Sequence, residues 1–309
     1  MLGRRRFIAL SAVAAGVALL SGRRGWAAEP IVWRGNALGA DASLTLYAPD
    51  KASGRRLLGQ SLAELERLER IFSLYRDDTA LVRLNRQGYL NEAPAELVEL
   101  LSVSRHFSQL SDGAFDVTVQ PLWDLYAKHF AQPDADPAGP PETAIASLRP
   151  RLDWRAVRVD SRTIAFARPD VGVTLNGIAQ GYVTDKVADL LRRQGMIHVL
   201  VDMGEIQAIG TRPDGLPWRV GLEGADEIAL VDRAVSTSSP DGTRFSPTCN
   251  HLFDPKTGHC SQMPGTISVV APSATVADAL STAIAVGGRA LGARIAATLG
   301  TVRIIYGAS

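Results

Sequence analysis

The residues best suited to chemistry in this 309-residue chain stand near its C-terminus, in Thr275-Val276-Ala277-Asp278-Ala279-Leu280-Ser281-Thr282-Ala283. Asp278 and Thr282 are four apart, so on a helix both project from one face, with Ser281 beside them. A carboxylate with two hydroxyls is a hard, oxygen-only donor set of the kind that holds Mg2+. A second reading competes for Asp278, because Thr275 and Asp278 also have the spacing of a helix capping box. Capping accounts for the carboxylate but not for the hydroxyl pair one turn later.

Three other segments carry residues of interest. Val173-Thr174-Leu175-Asn176-Gly177-Ile178-Ala179-Gln180-Gly181-Tyr182 runs from an apolar strand through two glycines into a helix. Unpaired N–H groups at a helix start favour anions, and glycine lets a ligand approach the backbone; a plain packing turn uses the same residues. Asn250–Gly258 reads as a strand ending in an Asp-Pro-x-x-Gly turn, with His251 pointing either into the core or into a site. Cys249 and Cys260 bracket that segment, either as a disulfide closing a hairpin-sized loop or as two thiols. Phe72-Ser73-Leu74-Tyr75 with Leu84-Asn85, and Gly113–Leu122, read by themselves as a helix end and as a strand with an ordinary turn.

Several chemistries are absent. The chain has no Gly-x4-Gly-Lys-Ser/Thr phosphate loop, no His-Glu-x-x-His, no Gly-x-Ser-x-Gly elbow and no Gly-x-Gly-x-x-Gly. Its five histidines lack metal-ligand spacing, and two cysteines cannot build a four-cysteine centre. A formal charge of +1 gives no footprint for nucleic acid.

The elements that must position these residues follow from periodicity. Leu57, Leu58, Leu62, Leu65, Leu68 and Phe72 predict an amphipathic helix over about 54–72, and a second helix opens at Pro94 and stops at Asp112-Gly113. Residues 132–141 are proline-rich and predict an exposed loop; their Asp-x-Asp start is not a calcium loop, because Ala138 and Ile145 occupy ligand positions. Beyond them come short β-rich runs at Thr163–Ala167, Ile197–Asp202, Trp218–Leu222, Ala234–Thr237, Thr266–Val270 and Val302–Tyr306, besides an earlier one at Ala42–Tyr47. Helices are predicted from Gln180 to Arg193 with Gly195 as stop, from about Thr275 to Val286, and briefly over Ala290–Leu299. Strands and helices do not alternate strictly, which predicts an α+β fold.

Residues 1–27 have the basic, apolar and small-residue regions of an export leader, with Arg4-Arg5-Arg6-Phe7-Ile8 in twin-arginine form and cleavage expected after Ala27. The apolar run, about 14 residues, is short of the ~20 a bilayer requires. This reading expects a single domain over 28–309, periplasmic and soluble after cleavage. Five of the 33 basic residues and none of the 32 acidic ones lie in the leader, leaving 28 against 32 and a formal charge of −4.

Taken together, in order and spacing, these segments resemble the ApbE family of FAD:protein FMN transferases. The resemblance runs from about Leu38 to the C-terminus through Phe72–Tyr75, Gly113–Leu122, Leu175–Asp185, Val201–Gly210, Ser236–Ser239, His251–Gly258 and Ala277–Gly287. Twin-arginine-exported members that serve anaerobic respiration, the NosX-like proteins, are the nearest in pattern. The resemblance implies mixed or antiparallel sheets flanked by helices. It implies an enzyme that binds FAD and Mg2+, moves the FMN half through its phosphate onto a Ser or Thr hydroxyl, and releases AMP. Carried over by motif, Asp278, Thr282 and the Gly177 carbonyl would ligate Mg2+, with Ser281 as a further donor. Leu38, Tyr75, Ala114, Phe115, Asp116, Thr174, Gln180 and Leu252 would line the FAD site. Beside Asp278, His251 is the expected catalytic residue, since imidazole titrates near neutrality. The implied acceptor is a flavoprotein of a membrane-associated electron-transfer or respiratory system. Departures from the family pattern are Thr174 and Asn176 for Asp and Gly, Gln180 for Lys, Leu38 for Met and Ser239 for Gly. Other readings are a flavin-delivering accessory protein and a Mg2+-dependent FAD pyrophosphatase.

Overall fold

The first two strands, β1 (Ile31–Ala37) and β2 (Ala40–Leu46), form a hairpin whose two-residue turn is Leu38-Gly39. Both turn residues have positive φ, 48° and 83°, as a tight hairpin of this hand requires. A computed structural model describes residues 29–308 of the chain, so the expected leader lies outside the described residues. The hairpin leads into α1 (Lys51–Phe72), where the Asp50 carboxylate caps the Ser53 N–H at 2.8 Å and Leu57, Leu65, Leu68 and Phe72 form the buried stripe.

Next come α2 (Ala80–Gln87), β3 (Tyr89–Asn91), α3 (Ala95–Leu110), α4 (Gln120–Phe130), α5 (Glu142–Leu148), β4 (Val157–Val159) and β5 (Thr163–Phe166). The second half holds α6 (Ala179–Arg193), β6 (His198–Asp202), β7 (Ile206–Gly210), β8 (Trp218–Leu222), β9 (Ala225–Leu230), β10 (Ala234–Ser238), β11 (Ile267–Ala271), α7 (Ala274–Leu299) and β12 (Arg303–Tyr306). Seven strands make one sheet in the order β1-β2-β6-β7-β10-β11-β12, beside a three-stranded β3-β5-β4 sheet and the β8-β9 hairpin. Neighbouring strands run antiparallel throughout these sheets, so the α+β expectation holds.

One face of the large sheet packs on the helices, with Leu44, Val199, Val201, Ile267 and Val269 against Leu68, Val183, Val187, Leu280 and Ile284 in the main core. The other face carries Leu200, Ala208, Val235 and Val270, covered by Trp218, Val220, Ile228 and Leu230 of the β8-β9 hairpin. Double coverage explains why every residue of β11 is buried, Ser268 included.

Two expected strands differ. Within Gly113–Leu122, Val117–Val119 is a 3-10 turn and Gln120 starts α4. The Asp116 carboxylate draws in the Thr118 N–H at 2.7 Å, and Pro121 favours the helix that follows. Asn250–Gly258 makes only isolated bridges, Arg244 with Asn250 and Phe253 with Cys260, because the Asn250 side chain takes ladder bonds itself. Its Nδ2 donates to the Ser261 carbonyl and its Oδ1 accepts from Leu252, both at 2.9 Å. The expected Asp254–Gly258 turn is present, with the Gly258 N–H on the Asp254 carbonyl at 2.7 Å. At the C-terminus the expected pair of helices appears as α7 broken at Gly288, where φ is 80°. Cys249 and Cys260 are buried free thiols in an aromatic cluster with Tyr126 and Phe253, so the thiol alternative is the one adopted.

Candidate active site

Helices α6 and α7 cross where Gly181 meets the first turn of α7. A Cβ on Gly181 would lie 2.3 Å from the Ala274 carbonyl oxygen and 2.8 Å from Asp278 Cβ, so only glycine permits the approach. The crossing brings the Gly181 N–H to 2.9 Å from Asp278 Oδ2. Asp185, one turn along α6, closes the same junction. Its carboxylate accepts the Ala274 and Thr275 N–H groups at 2.8 Å each and the Thr275 hydroxyl at 2.6 Å. Ser273, not Thr275, is the N-cap, accepting from the Val276 N–H. The capping-box alternative is therefore not realised: Thr275 serves Asp185, and Asp278 turns toward α6.

Asp278 is buried, and lost hydration raises its carboxyl to about 7, with the Asp185 charge adding and the Gly181 N–H opposing. Glu205, at the turn between β6 and β7, is pushed well up by burial and by Asp278. Asp202, half-buried, is raised to about 7 by lost hydration, against the Gly204 N–H it accepts at 3.1 Å. The charged neighbours acting on Asp278 and Glu205 are all acidic, which leaves this pocket short of positive charge.

Hydroxyls from β10 meet α7 here. The Ser281 hydroxyl is fully buried, donates to the Asp278 carbonyl at 3.0 Å and lies 3.0 Å from Ser236 Oγ and 2.8 Å from Ser238 Oγ. Those three partners draw it inward, away from any role as an outer ligand. Thr282 Oγ1 has only a long 3.4 Å contact, to Ser238, and faces Gly177, where a Cβ would sit 3.0 Å from it. Asp278, Thr282 and the Gly177 backbone thus come together. Among the described residues no group of three or more His, Cys, Asp or Glu is placed to hold a metal. The trio is instead one carboxylate, one hydroxyl and one carbonyl, a donor set that fits Mg2+ and not a thiolate or imidazole metal.

The residues expected to line a flavin nucleotide come from several elements. Leu38 presents its side chain from the hairpin turn, with its N–H fixed on Glu69 Oε1 at 2.8 Å. The Tyr75 ring lies beside Gly39, whose Cβ would be 3.3 Å from Tyr75 Cε2, and it is 63% exposed. Ala114 abuts Gly287 of α7, while Phe115 is buried edge-on against Phe107. Thr174 ties its N–H to the Val117 carbonyl at 2.8 Å, and the Gln180 amide rests on Gly204. Leu252 packs into the main core.

Asp116 does not offer its carboxylate. Oδ1 accepts the Thr118 N–H and hydroxyl at 2.7 and 2.6 Å, and Oδ2 accepts the Trp154 N–H at 3.1 Å. Burial raises it, and those bonds hold it down. Three of the carboxylate's acceptor positions are thus taken within the protein. His251 Nδ1 lies 3.2 Å from the Thr243 N–H and 3.1 Å from the Thr243 carbonyl, and its Cε1 stands against Gly242. The segment from Ser238 to Gly242 therefore links the hydroxyl cluster to the imidazole.

A comparison with protein families matches residues 38–306 to the ApbE family. The chain belongs to the ApbE family. A relative from Klebsiella pneumoniae described as FAD:protein FMN transferase is 28% identical over 286 residues, 85% of this chain and 80% of the relative. The solved structure of the flavin transferase ApbE from Vibrio cholerae superposes with a TM-score of 0.77 at 26% identity, covering 90% of this chain and 94% of that one. That of Pseudomonas stutzeri flavinyl transferase ApbE, apo form, gives 0.77 at 28%, covering 91% and 92%.

For an ApbE chain, several residues at the centre of this site went unassigned in the sequence. Glu205, at the β6–β7 turn, and Ser236 and Ser238, on β10, lie inside the matched segments but far from α7 in sequence. The alternation of hydroxyls at Ser236 and Ser238 was the available signal, since alternate strand residues share a face. Gly181 and Asp185 repeat at one helical turn and set the α6–α7 junction, which no local pattern reveals.

Proposed function

We propose that this chain transfers the FMN half of FAD onto a serine or threonine hydroxyl of an acceptor flavoprotein, with Mg2+ as cofactor and AMP as the released product. The observation that carries this reading is the oxygen trio of Asp278, Thr282 and Gly177 set among buried acids, whose charged neighbours among the described residues are acidic. The relatives that bear the name FAD:protein FMN transferase support it.

Asp278, with one oxygen fixed by Gly181, has its other oxygen for the ion, and Thr282 and the Gly177 carbonyl complete the protein's share of donors. When bound, Mg2+ would neutralise the pyrophosphate oxygens and make the riboflavin-side phosphorus a better electrophile. The acceptor oxygen forms a bond to that phosphorus, the P–O–P bridge breaks, and AMP leaves. Leu38 and Tyr75 offer an apolar and an aromatic wall suited to a flat ring system. Gln180 contributes an uncharged amide, so phosphate binding leans on the metal and on backbone N–H groups at the start of α6. His251, oriented by Thr243, takes the acceptor hydroxyl's proton.

The leader expected over residues 1–27 supports a periplasmic site of action after twin-arginine export, with an acceptor in a membrane-associated electron-transfer or respiratory system. No helix among the described residues is long and apolar enough to cross a membrane. The test is to incubate the protein with FAD, Mg2+ and a flavin-accepting protein, following acceptor mass and nucleotide products. Covalent flavin with equimolar AMP, lost in Asp278→Ala, is expected. FMN and AMP without a modified acceptor would show a pyrophosphatase, and unchanged bound FAD would show a flavin carrier.

A further inference from the structure

Of the three glutamates on α1, Glu69 stands apart. Arg67 pairs with Glu64 and with Glu96 of α3, and Arg70 pairs with Glu66, whereas Glu69 makes no ion pair among the described residues. Its Oε1 instead accepts the Leu38 N–H at 2.8 Å, from a residue 31 positions earlier in the chain. A two-residue hairpin turn gives the N–H of its first residue no ladder partner, so Glu69 supplies the acceptor that the hairpin lacks.

Leucine is poorly suited to that turn. Leu38 sits at φ 48°, where asparagine, aspartate or glycine is favoured, and another residue persists there only when its surroundings hold it. An apolar side chain is thus kept against local preference, with Glu69 fixing the backbone beneath it. Glu69 also reaches Tyr75. Its carbonyl accepts the Ser73 N–H at 3.0 Å, Ser73 Oγ accepts the Tyr75 N–H at 3.1 Å, and the Ser73 carbonyl accepts the Thr79 hydroxyl at 2.8 Å. The Tyr75 ring lies against the same turn, where a Cβ on Gly39 would be 3.3 Å from Cε2. One glutamate therefore ties both the hairpin turn and Tyr75 to the end of α1.

We infer that Glu69 is a positioning residue for the flavin end of the site: its carboxylate anchors the Leu38 turn to α1, so that Leu38 and Tyr75 are held as walls before the ring arrives. This deepens the flavin-transfer reading above and rests on it. The group recognised is the flat ring system of the flavin, and Glu69 acts on it only through the turn.

The test reads binding, not turnover. FAD is titrated with Mg2+ and no acceptor protein, by calorimetry and by the visible flavin band at saturation, with thermal melting as the fold control. Glu69→Ala is expected to weaken FAD binding about 10-fold, the cost of ordering a loosened turn and its side chain at binding, and to move the saturated band toward that of free FAD. Glu69→Gln keeps an acceptor oxygen, so its affinity should stay within about threefold of the parent and its band should coincide with it. Leu38→Gly removes the wall and leaves a residue at ease with positive φ. On that background Glu69→Ala should weaken binding by no more than about twofold further, because both act through one side chain. Amide exchange over residues 37–40 should be faster in Glu69→Ala and unchanged in Glu69→Gln.

Equal losses in Glu69→Ala and Glu69→Gln would overturn the anchoring role in favour of bare charge. Full additivity with Leu38→Gly would overturn it too, as would parent-like affinity and band, or an unchanged turn, in a folded Glu69→Ala. A parent chain that binds no FAD, or a Leu38→Gly chain that binds it as tightly as the parent, would instead bring down the flavin-site reading itself.

Discussion

Gly181→Ala is the sharpest probe of the helix junction. Its new methyl carbon would sit 2.3 Å from the Ala274 carbonyl oxygen and 2.6 Å from the Ala274 carbonyl carbon. These are backbone atoms of the first turn of α7 and cannot rotate aside, so the two helices must part by roughly 1 Å to regain ordinary contact. Overpacking of this kind costs about 1–3 kcal/mol. The same movement lengthens the 2.9 Å bond from the Gly181 N–H to Asp278. A hydrogen bond to a charged group is worth about 1.5–3 kcal/mol, and since one displacement causes both losses the expected total is about 3 kcal/mol.

Unfolding entropy near 2.1 cal/mol/K per residue gives about 0.6 kcal/mol/K for a chain of this size, so the melting midpoint should drop by about 5 °C. Gly59→Ala is the control. Gly59 is an exposed position within α1 whose Cβ would meet nothing within 4 Å, so alanine there should stabilise by about 0.5–1 kcal/mol. Calorimetry on both variants with a Mn2+ titration measures the outcome. A Gly181→Ala chain that melts with the parent and binds Mn2+ as tightly would refute the close-crossing argument.

Other expectations follow from burial and exposure. Asp278 and Asp202 hold protons up to about 7 in the metal-free fold, above the usual 3.8. The folded chain therefore binds protons that the unfolded chain has released, and these two groups lower stability as pH rises from about 4 to 7, with little change beyond. Urea midpoints in EDTA should show a shallower fall over that window in Asp202→Asn than in the parent, and identical profiles would contradict it. Cys249 and Cys260 are buried, and Cys260 is pushed up to about 12 by lost hydration first and Cys249 second. Both should resist a thiol reagent in the native protein and react fully in urea, whereas rapid native labelling or a disulfide found by mass would show the pocket is not as described. Tyr75 is 63% exposed, so Tyr75→Ala should leave the melting midpoint within about 2 °C while weakening FAD binding at least ~10-fold. Unchanged FAD affinity would remove Tyr75 from the site.

What was legible in the sequence was whatever a single element determines. Asp278 and Thr282 share a face because α7 is a helix there, and Pro94, Gly195 and Gly288 mark helix limits by their own backbone preferences. Val117–Val119 misled because its β-branched residues suit a strand, while Asp116 next to them folds the backbone into a turn. Asp116 illustrates the same limit at the site, since motif matching puts it beside FAD without showing that Thr118 and Trp154 consume its carboxylate. Glu205 and Ser236 acquire meaning only when β10 pairs with β7 and α7 packs on β10. Nothing in the local sequence around either announces that.

The strand order also dictates how this molecule is made. Leu44 of β2 pairs with Val201 of β6, 157 positions later, and every helix but α7 is synthesised between those two strands. During synthesis at about 5–20 residues per second, the β1–β2 hairpin waits on the order of 10–30 s with one edge unpaired. Such an edge can pair with a neighbouring chain of the same kind. The donor trio comes later still, because Asp278 and Thr282 follow every strand but the last. Chains stalled before α7 would hold much of the sheet but lack Asp278, the carboxylate of the proposed Mg2+ site, so aggregation and inactivity are both expected of truncated forms, from one topological cause.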